Sequence, residues 1–140
     1  MQLIFISGPS GSGKTTLSNK ILVKVKNAIV LSTDNYYKTG ILSKLLSKFV
    51  KGYFDKSISL NYKLFREDYN FIIENGISIH ERYYNFKEKS IKIFKKEIKN
   101  INFLIVEGIF AKEIISSIYN QKNFLLELKA NKKDLSLIHI

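Results

Sequence analysis

An α/β fold built on a parallel β-sheet is what the sequence predicts, and three observations carry the prediction. Short, nearly continuous apolar runs at residues 3–7, 28–31, 103–106 and 124–128 read as strands buried on both faces. Segments with helical apolar spacing separate them. A glycine-rich stretch from Gly8 to Thr15 stands between the first run and the first helical segment. Strands alternating with helices imply right-handed crossovers between parallel neighbours.

Each element has its own signal. After the glycine-rich stretch, Leu17, Ile21, Leu22 and Val25 recur at helical spacing. Leu42, Leu45, Leu46 and Phe49 predict an amphipathic helix beginning after Gly40. Leu60, Leu64, Phe71 and Ile72 predict another, closed by Asn75-Gly76 as a C-terminal cap. Residues 77–86 and 90–98 show stretches of alternation and can pair as a hairpin across Lys87-Glu88-Lys89, although the second is equally compatible with a helix. A helix is expected over 112–119, and 132–140 reads as the opening turns of one more.

Composition narrows the function classes. The chain has 140 residues, 45% of them apolar, enough for one compact domain over 1–140 with its own core. No stretch of about eighteen apolar residues is present, and residues 1–6 lack the basic region and cleavage site of a signal peptide. A membrane partner is therefore not expected. With no cysteine, disulfides and thiolate metal sites are excluded. The net charge of +11 invites a nucleic-acid reading, but every basic residue except Arg66 and Arg82 is lysine, and the lysines are scattered. Forked recognition of phosphates and base edges favours arginine, so the charge reads as a solvated face and nucleic acid is not the expected partner. Lys87, Lys89, Lys92, Lys95 and Lys96 form the one local cluster that argues the other way.

Gly8-Pro9-Ser10-Gly11-Ser12-Gly13-Lys14-Thr15 fits G-x-x-x-x-G-K-[ST] in full, with a buried strand before it and an amphipathic helix after it. Glycines let successive N–H groups converge on phosphate oxygens, and the helix start adds its positive dipole end. Lys14 is expected on the β- and γ-phosphates of ATP (or GTP) and the Thr15 hydroxyl on Mg²⁺, with Thr16 completing the cradle. The fold is thereby predicted as a P-loop NTPase-type three-layer arrangement, and ATP chemistry points to the cytoplasm.

Two acids follow buried strands. Asp34 lies just after the second strand, where it can accept a proton from an attacking hydroxyl, or simply cap a turn. Glu107 closes the third strand, where carboxylates hold Mg²⁺ beside a phosphate loop; the alternative is a solvated strand end. His80 reads as a solvated strand residue rather than a ligand.

Together these stretches resemble the uridine kinase family, within the group that includes phosphoribulokinase and pantothenate kinase. The matching residues are Gly8 to Thr16, Leu31-Ser32-Thr33-Asp34-Asn35-Tyr36-Tyr37-Lys38 and Val106-Glu107-Gly108-Ile109-Phe110-Ala111, and the likeness covers essentially the whole chain. The resemblance implies that Asp34 is the general base, that Asp55 grips a ribose diol, and that Tyr84 and Phe86 wall a nucleobase pocket carried by the substrate-side hairpin. As residues alone, Asp55 also reads as a plain loop acid, and Tyr84 and Phe86, two apart on a strand, as ordinary core.

The sequence also departs from the family. Lys89 stands where the family has a base-reading His, Ile91 where it has an Arg, and Lys56-Ser57-Ile58-Ser59 replaces its Pro-Asp segment. The family's arginine-bearing lid helix would begin where this sequence ends, so a truncated or frameshifted form with poor turnover is expected. Positioned arginines of that kind are worth about 10³–10⁵ in rate. The expected activity is ATP-dependent transfer to a hydroxyl of a small metabolite, foremost the 5′-OH of a nucleoside. The alternatives are a kinase of another small metabolite in the same group, a nucleotide-binding remnant or regulatory module, or a kinase of nucleic-acid ends. Homo-oligomerisation is left open.

Overall fold

The computed structural model describes residues 1–117, 123–128 and 135–139. Its main sheet comprises β1 (Gln2–Ser7), β2 (Ala28–Ser32), β5 (Phe103–Gly108), β6 (Asn123–Leu128) and β7 (Leu135–His139), in the order β2-β5-β1-β6-β7. The first four run parallel, as the apolar runs predict. Helices α1 (Lys14–Lys24) and α4 (Ala111–Ser117) pack on this sheet. Leu3, Phe5, Leu104 and Val106 enter one core cluster with Phe65, Ile72, Phe110 and Ile114. Ile6 and Ile105, of opposite parity, are also fully buried, so both sheet faces are covered. Each such side chain contributes about 1.5–3 kcal/mol by leaving water.

The chain end differs from expectation. Residues 135–139 form a strand antiparallel to β6, from Phe124↔His139 to Leu128↔Leu135, instead of the start of a helix. A helix this short would carry the full nucleation cost for few internal bonds, whereas the open edge of β6 offers partners for the whole backbone. The remainder of that expected helix, 132–134 and 140, lies outside the described residues, as do 118–119 of the helix expected over 112–119.

Between β2 and β5 the chain builds further elements. They are α2 (Ile41–Phe49), α3 (Tyr62–Asn75) and the hairpin β3 (Ser78–Asn85) with β4 (Ser90–Ile98). Asn61 caps α3 by accepting the Leu64 N–H, and Gly76, at φ 66°, closes it as expected. The helical alternative for 90–98 does not hold: cross-strand pairs run from Asn85↔Ser90 to Ser78↔Ile98. The Asn85 carboxamide fixes the turn by accepting the N–H groups of Lys87 and Glu88 at 2.9 and 3.0 Å.

Helix α2 forms where predicted but turns its apolar side outward. Leu42 and Phe49 are 71% and 82% exposed. What anchors the helix is Ser43, which donates to the Lys38 carbonyl and meets the Tyr53 hydroxyl at 3.2 Å. A buried hydroxyl pair therefore sets the rotation of this helix, not its hydrophobic stripe. No helix among the described residues is long and apolar enough to cross a membrane.

Candidate active site

The register of the sheet brings the predicted loop and acids to one edge. Ser7 lies opposite Gly108 and Ile6 opposite Glu107, while Ser32 lies opposite Glu107 from the other side. Three parallel strands thus end at nearly the same level: the glycine-rich loop leaves β1, the Asp34 turn leaves β2, and Glu107 stands in the last residues of β5. This is the carboxyl edge of an open α/β sheet, where ligands bind.

Gly11 and Gly13 adopt φ of 76° and 96°, and Gly13 caps α1 in a left-handed conformation. The Ser12 N–H donates to the Pro9 carbonyl at 3.2 Å, curling the loop. Lys14 is buried, and its Nζ donates to the same carbonyl at 2.8 Å, so the ammonium lies across the loop mouth. Thr15 and Thr16 are exposed. Thr15 and Glu107 line one cavity of about 280 Å³.

Asp34 sits in a 3₁₀ turn, Thr33–Asn35. Among the described residues its carboxylate caps no backbone N–H; its partner is the Tyr37 hydroxyl at 3.4 Å, which also reaches the Phe54 carbonyl at 3.2 Å. Burial raises the pKa of Asp34, while the charge of Lys14 and the Tyr37 hydrogen bond work in the other direction. Burial likewise raises that of Glu107; a hydrogen bond from Ser32 opposes it, the Asp34 charge adds to it, and Lys14 offsets part. Two acids and one lysine therefore share one electrostatic neighbourhood.

Buried atoms without partners show what this edge can accommodate. Glu107 Oε2 and Ser12 Oγ are both buried and make no hydrogen bond. A carboxylate oxygen in that state suits a cation, and a hydroxyl beside converging N–H groups suits a phosphate oxygen. Among the described residues no cluster of three or more His, Cys, Asp or Glu forms a metal cage. A magnesium ion here would be shared with phosphates, as this ion usually is.

The spacing of the two acids is fixed by a tight contact. Gly108 has φ 145°, and a Cβ built there would stand 1.8 Å from Thr33 Oγ1. Thr33 is fully buried. Gly108→Ala is expected to destabilise the fold by about 3 kcal/mol or more, through overpacking and a strained backbone. The denaturant midpoint measures the loss, and Thr33→Ala in the same chain should restore part of it.

Tyr37 also organises an aromatic cluster, with ring centroids 5.0 Å from Phe54, 5.2 Å from Tyr84 and 5.5 Å from Phe86. Tyr84 and Phe86 stand 5.0 Å apart; Tyr84 is buried and Phe86 half exposed. Asp55 is exposed in the turn Tyr53–Asp55, and its charge bears on the Tyr37 hydroxyl. Lys89 Nζ lies 5.4 Å from the Phe54 ring centroid and donates to the Phe86 carbonyl.

A second support was not foreseen. Asp68 on α3 accepts from Arg82 Nε at 2.6 Å, from Arg82 Nη2 at 3.2 Å and from the Tyr36 hydroxyl at 2.8 Å. His80, read as solvated from sequence, stands 3.3 Å from the same carboxylate. Asn35 accepts the Tyr84 N–H at 3.2 Å. The residues flanking Asp34 are thus tied to both α3 and the hairpin. Burial works to raise the Asp68 pKa, but the Arg82 and Tyr36 hydrogen bonds and the Arg82 and His80 charges bring it below the ordinary value. Its stabilisation is present at neutral pH and is lost as pH falls through that lowered value. Arg82→Met should cost about 1–3 kcal/mol at neutral pH, with a smaller difference in acid, as urea titrations at several pH values would show.

The Phosphoribulokinase / Uridine kinase family model matches residues 3–139. The chain belongs to that family. It is similar to a uridine kinase of Borrelia hermsii, 33% identical over 127 residues, covering 89% of this chain and 60% of that one. A uridine kinase of Ureaplasma parvum is 32% identical over 130 residues, with 88% and 61% covered. The chain therefore spans about 60% of the length of the curated relatives it matches. A solved structure titled a possible uridine kinase from Bacillus stearothermophilus shares the fold, with TM-score 0.55, 16% identity, and 78% of this chain and 61% of that one covered.

Proposed function

We propose that this chain carries out ATP-dependent phosphoryl transfer to a hydroxyl of a small metabolite, with the 5′-OH of a nucleoside as the leading acceptor. The observation that supports it best is the common level at which β1, β2 and β5 end, which turns the loop, Asp34 and Glu107 toward one place.

Residues 8–16 would hold the triphosphate, with Lys14 on the β- and γ-phosphates. Thr15 and Glu107 would hold Mg²⁺, which supplies charge neutralisation on the phosphate oxygens. Asp34 would take the proton of the acceptor hydroxyl as its oxygen bonds to the γ-phosphorus and the bond to ADP breaks. Tyr37 positions that carboxylate, while Tyr84, Phe86 and Asp55 would receive the acceptor's ring and diol. Catalysis of this kind rests on positioning and electrostatics rather than covalent chemistry. One kinase-like domain acting in the cytoplasm fits this reading.

ADP release coupled to a dehydrogenase, run with Mg·ATP or Mg·GTP over a panel of nucleosides, tests it. Transfer to at least one acceptor is expected. Nucleotide binding without transfer to any hydroxyl compound would reduce the chain to a nucleotide-binding module.

A further inference from the structure

Helix α2 holds its apolar stripe in water. Ile41, Leu42, Leu45 and Phe49 are 80%, 71%, 47% and 82% exposed, and their spacing puts them on one side of the helix. Rotation of this stripe toward the core is opposed by Ser43, which is buried and bonded to the Lys38 carbonyl and the Tyr53 hydroxyl. The exposure is therefore fixed by the helix's own anchor. Apolar side chains scattered singly on a surface are ordinary, whereas four in one patch mark a contact surface.

The charge around the stripe is of one sign. From Asn35 to Phe54 the chain carries four lysines and no acid. Lys44 follows Ile41 by three residues and Lys48 follows Leu45 by three, so both stand along one border of the stripe, and both are exposed. Beyond that border lies an open bay of about 560 Å³, lined by Lys44 and Lys48 of α2 and by Lys87 and Lys89 of the hairpin turn. Glu88 is the one carboxylate in this lining. Among the described residues Lys44, Lys48 and Lys87 form no ion pair.

These features discriminate between partners. A second copy would set the same lysines against each other. A nucleic acid would pair with the lysines and leave the apolar stripe in water. A bilayer with anionic headgroups answers both features at once, because its negative charge lies directly above an apolar layer. We infer that α2 docks this protein reversibly on an anionic lipid surface. Ile41, Leu42, Leu45 and Phe49 seat at the boundary of the acyl chains, and the four lysines of the bay meet the headgroups. Lying on a membrane needs no spanning segment, and α2 arrives already folded, so binding carries no helix-nucleation cost. This docking is independent of the phosphoryl-transfer reading.

Co-sedimentation of the full chain with lipid vesicles tests it. Vesicles of phosphatidylcholine and phosphatidylserine should bind at least about tenfold tighter than phosphatidylcholine alone, since each lysine near an anionic surface is worth about fivefold. Lys44→Glu/Lys48→Glu should remove at least about tenfold of that affinity, and raised salt should weaken it. Lys20→Glu/Lys24→Glu, the same reversal at exposed positions of α1, should leave most of it intact. Leu42→Ser/Phe49→Ser keeps every charge and should still cost at least about tenfold, through lost apolar burial in the bilayer. All these side chains are exposed, so thermal midpoints should stay near the parental value. The chain has no tryptophan, so Phe49→Trp gives a single reporter, whose emission should shift to the blue on anionic vesicles.

Failure to bind anionic vesicles would overturn the inference. Weakening by the α1 reversal as large as by the α2 reversal would do the same, because net charge alone would then explain the binding. Serine variants that bind like the parent, or an unshifted emission, would take the stripe out of the membrane. A dimer in sedimentation equilibrium that Leu42→Ser/Phe49→Ser dissociates would assign the stripe to a second copy instead.

Discussion

Asparagine in place of Asp34 should lower phosphoryl transfer by about 10²–10⁴-fold, the usual worth of a positioned general base, with Mg·ATP affinity nearly unchanged. The same change should raise the thermal midpoint of the nucleotide-free protein. Burial lifts the Asp34 pKa above its ordinary 3.8. A folded state that binds the proton more tightly than the unfolded chain loses stability as pH climbs from that ordinary value through the raised one. At neutral pH the whole cost of ionising Asp34 is present, and the neutral amide removes it. Single-turnover assays and thermal melts of the same preparation give both readouts. A variant that transferred phosphate at the parental rate would take Asp34 out of the reaction. A midpoint that fell at neutral pH would mean that Lys14 and Tyr37 outweigh its burial.

The second large effect is expected at Lys14. Lys14→Ala should reduce transfer by about 10²–10³-fold, as loss of a positioned charge-stabilising group does. It should also remove most of the stabilisation that saturating nucleotide confers, about 2.7 kcal/mol at a hundred times Kd. A further consequence separates this lysine from a simple binding contact. Its charge opposes the burial that lifts the pKa of both Asp34 and Glu107. Without it, both carboxyls should titrate at still higher pH, which ¹³C carboxyl NMR would follow. Unshifted titrations would place Lys14 outside the neighbourhood of the acids.

Much of this was legible in the sequence because the signals are local. Continuous apolar runs mark strands buried on both faces, and the loop is spelled in consecutive residues. Asp34 and Glu107 are conspicuous because each follows such a run directly. The unforeseen parts depend on contacts that no local pattern displays. Nothing near Asp68 announces that Arg82 and Tyr36 will converge on it, and Tyr37 reaches Asp34 only because of the turn between them. Helix α2 was located by its spacing, yet the spacing could not tell that Ser43, bonded to Tyr53, would decide which side faces inward. At residues 135–139 a helical reading competed with an open sheet edge, and the edge is a property of β6 that the segment itself does not display.

The contact between Thr33 and Gly108 bears on how such a protein can vary. Each of these residues is the immediate neighbour of one of the two acids, and they touch without clearance. The separation between the Asp34 and Glu107 segments is therefore set by hard atomic surfaces within the framework, independently of connecting-segment lengths. Redesign of residues 41–52 or of the hairpin tip should leave this spacing unchanged.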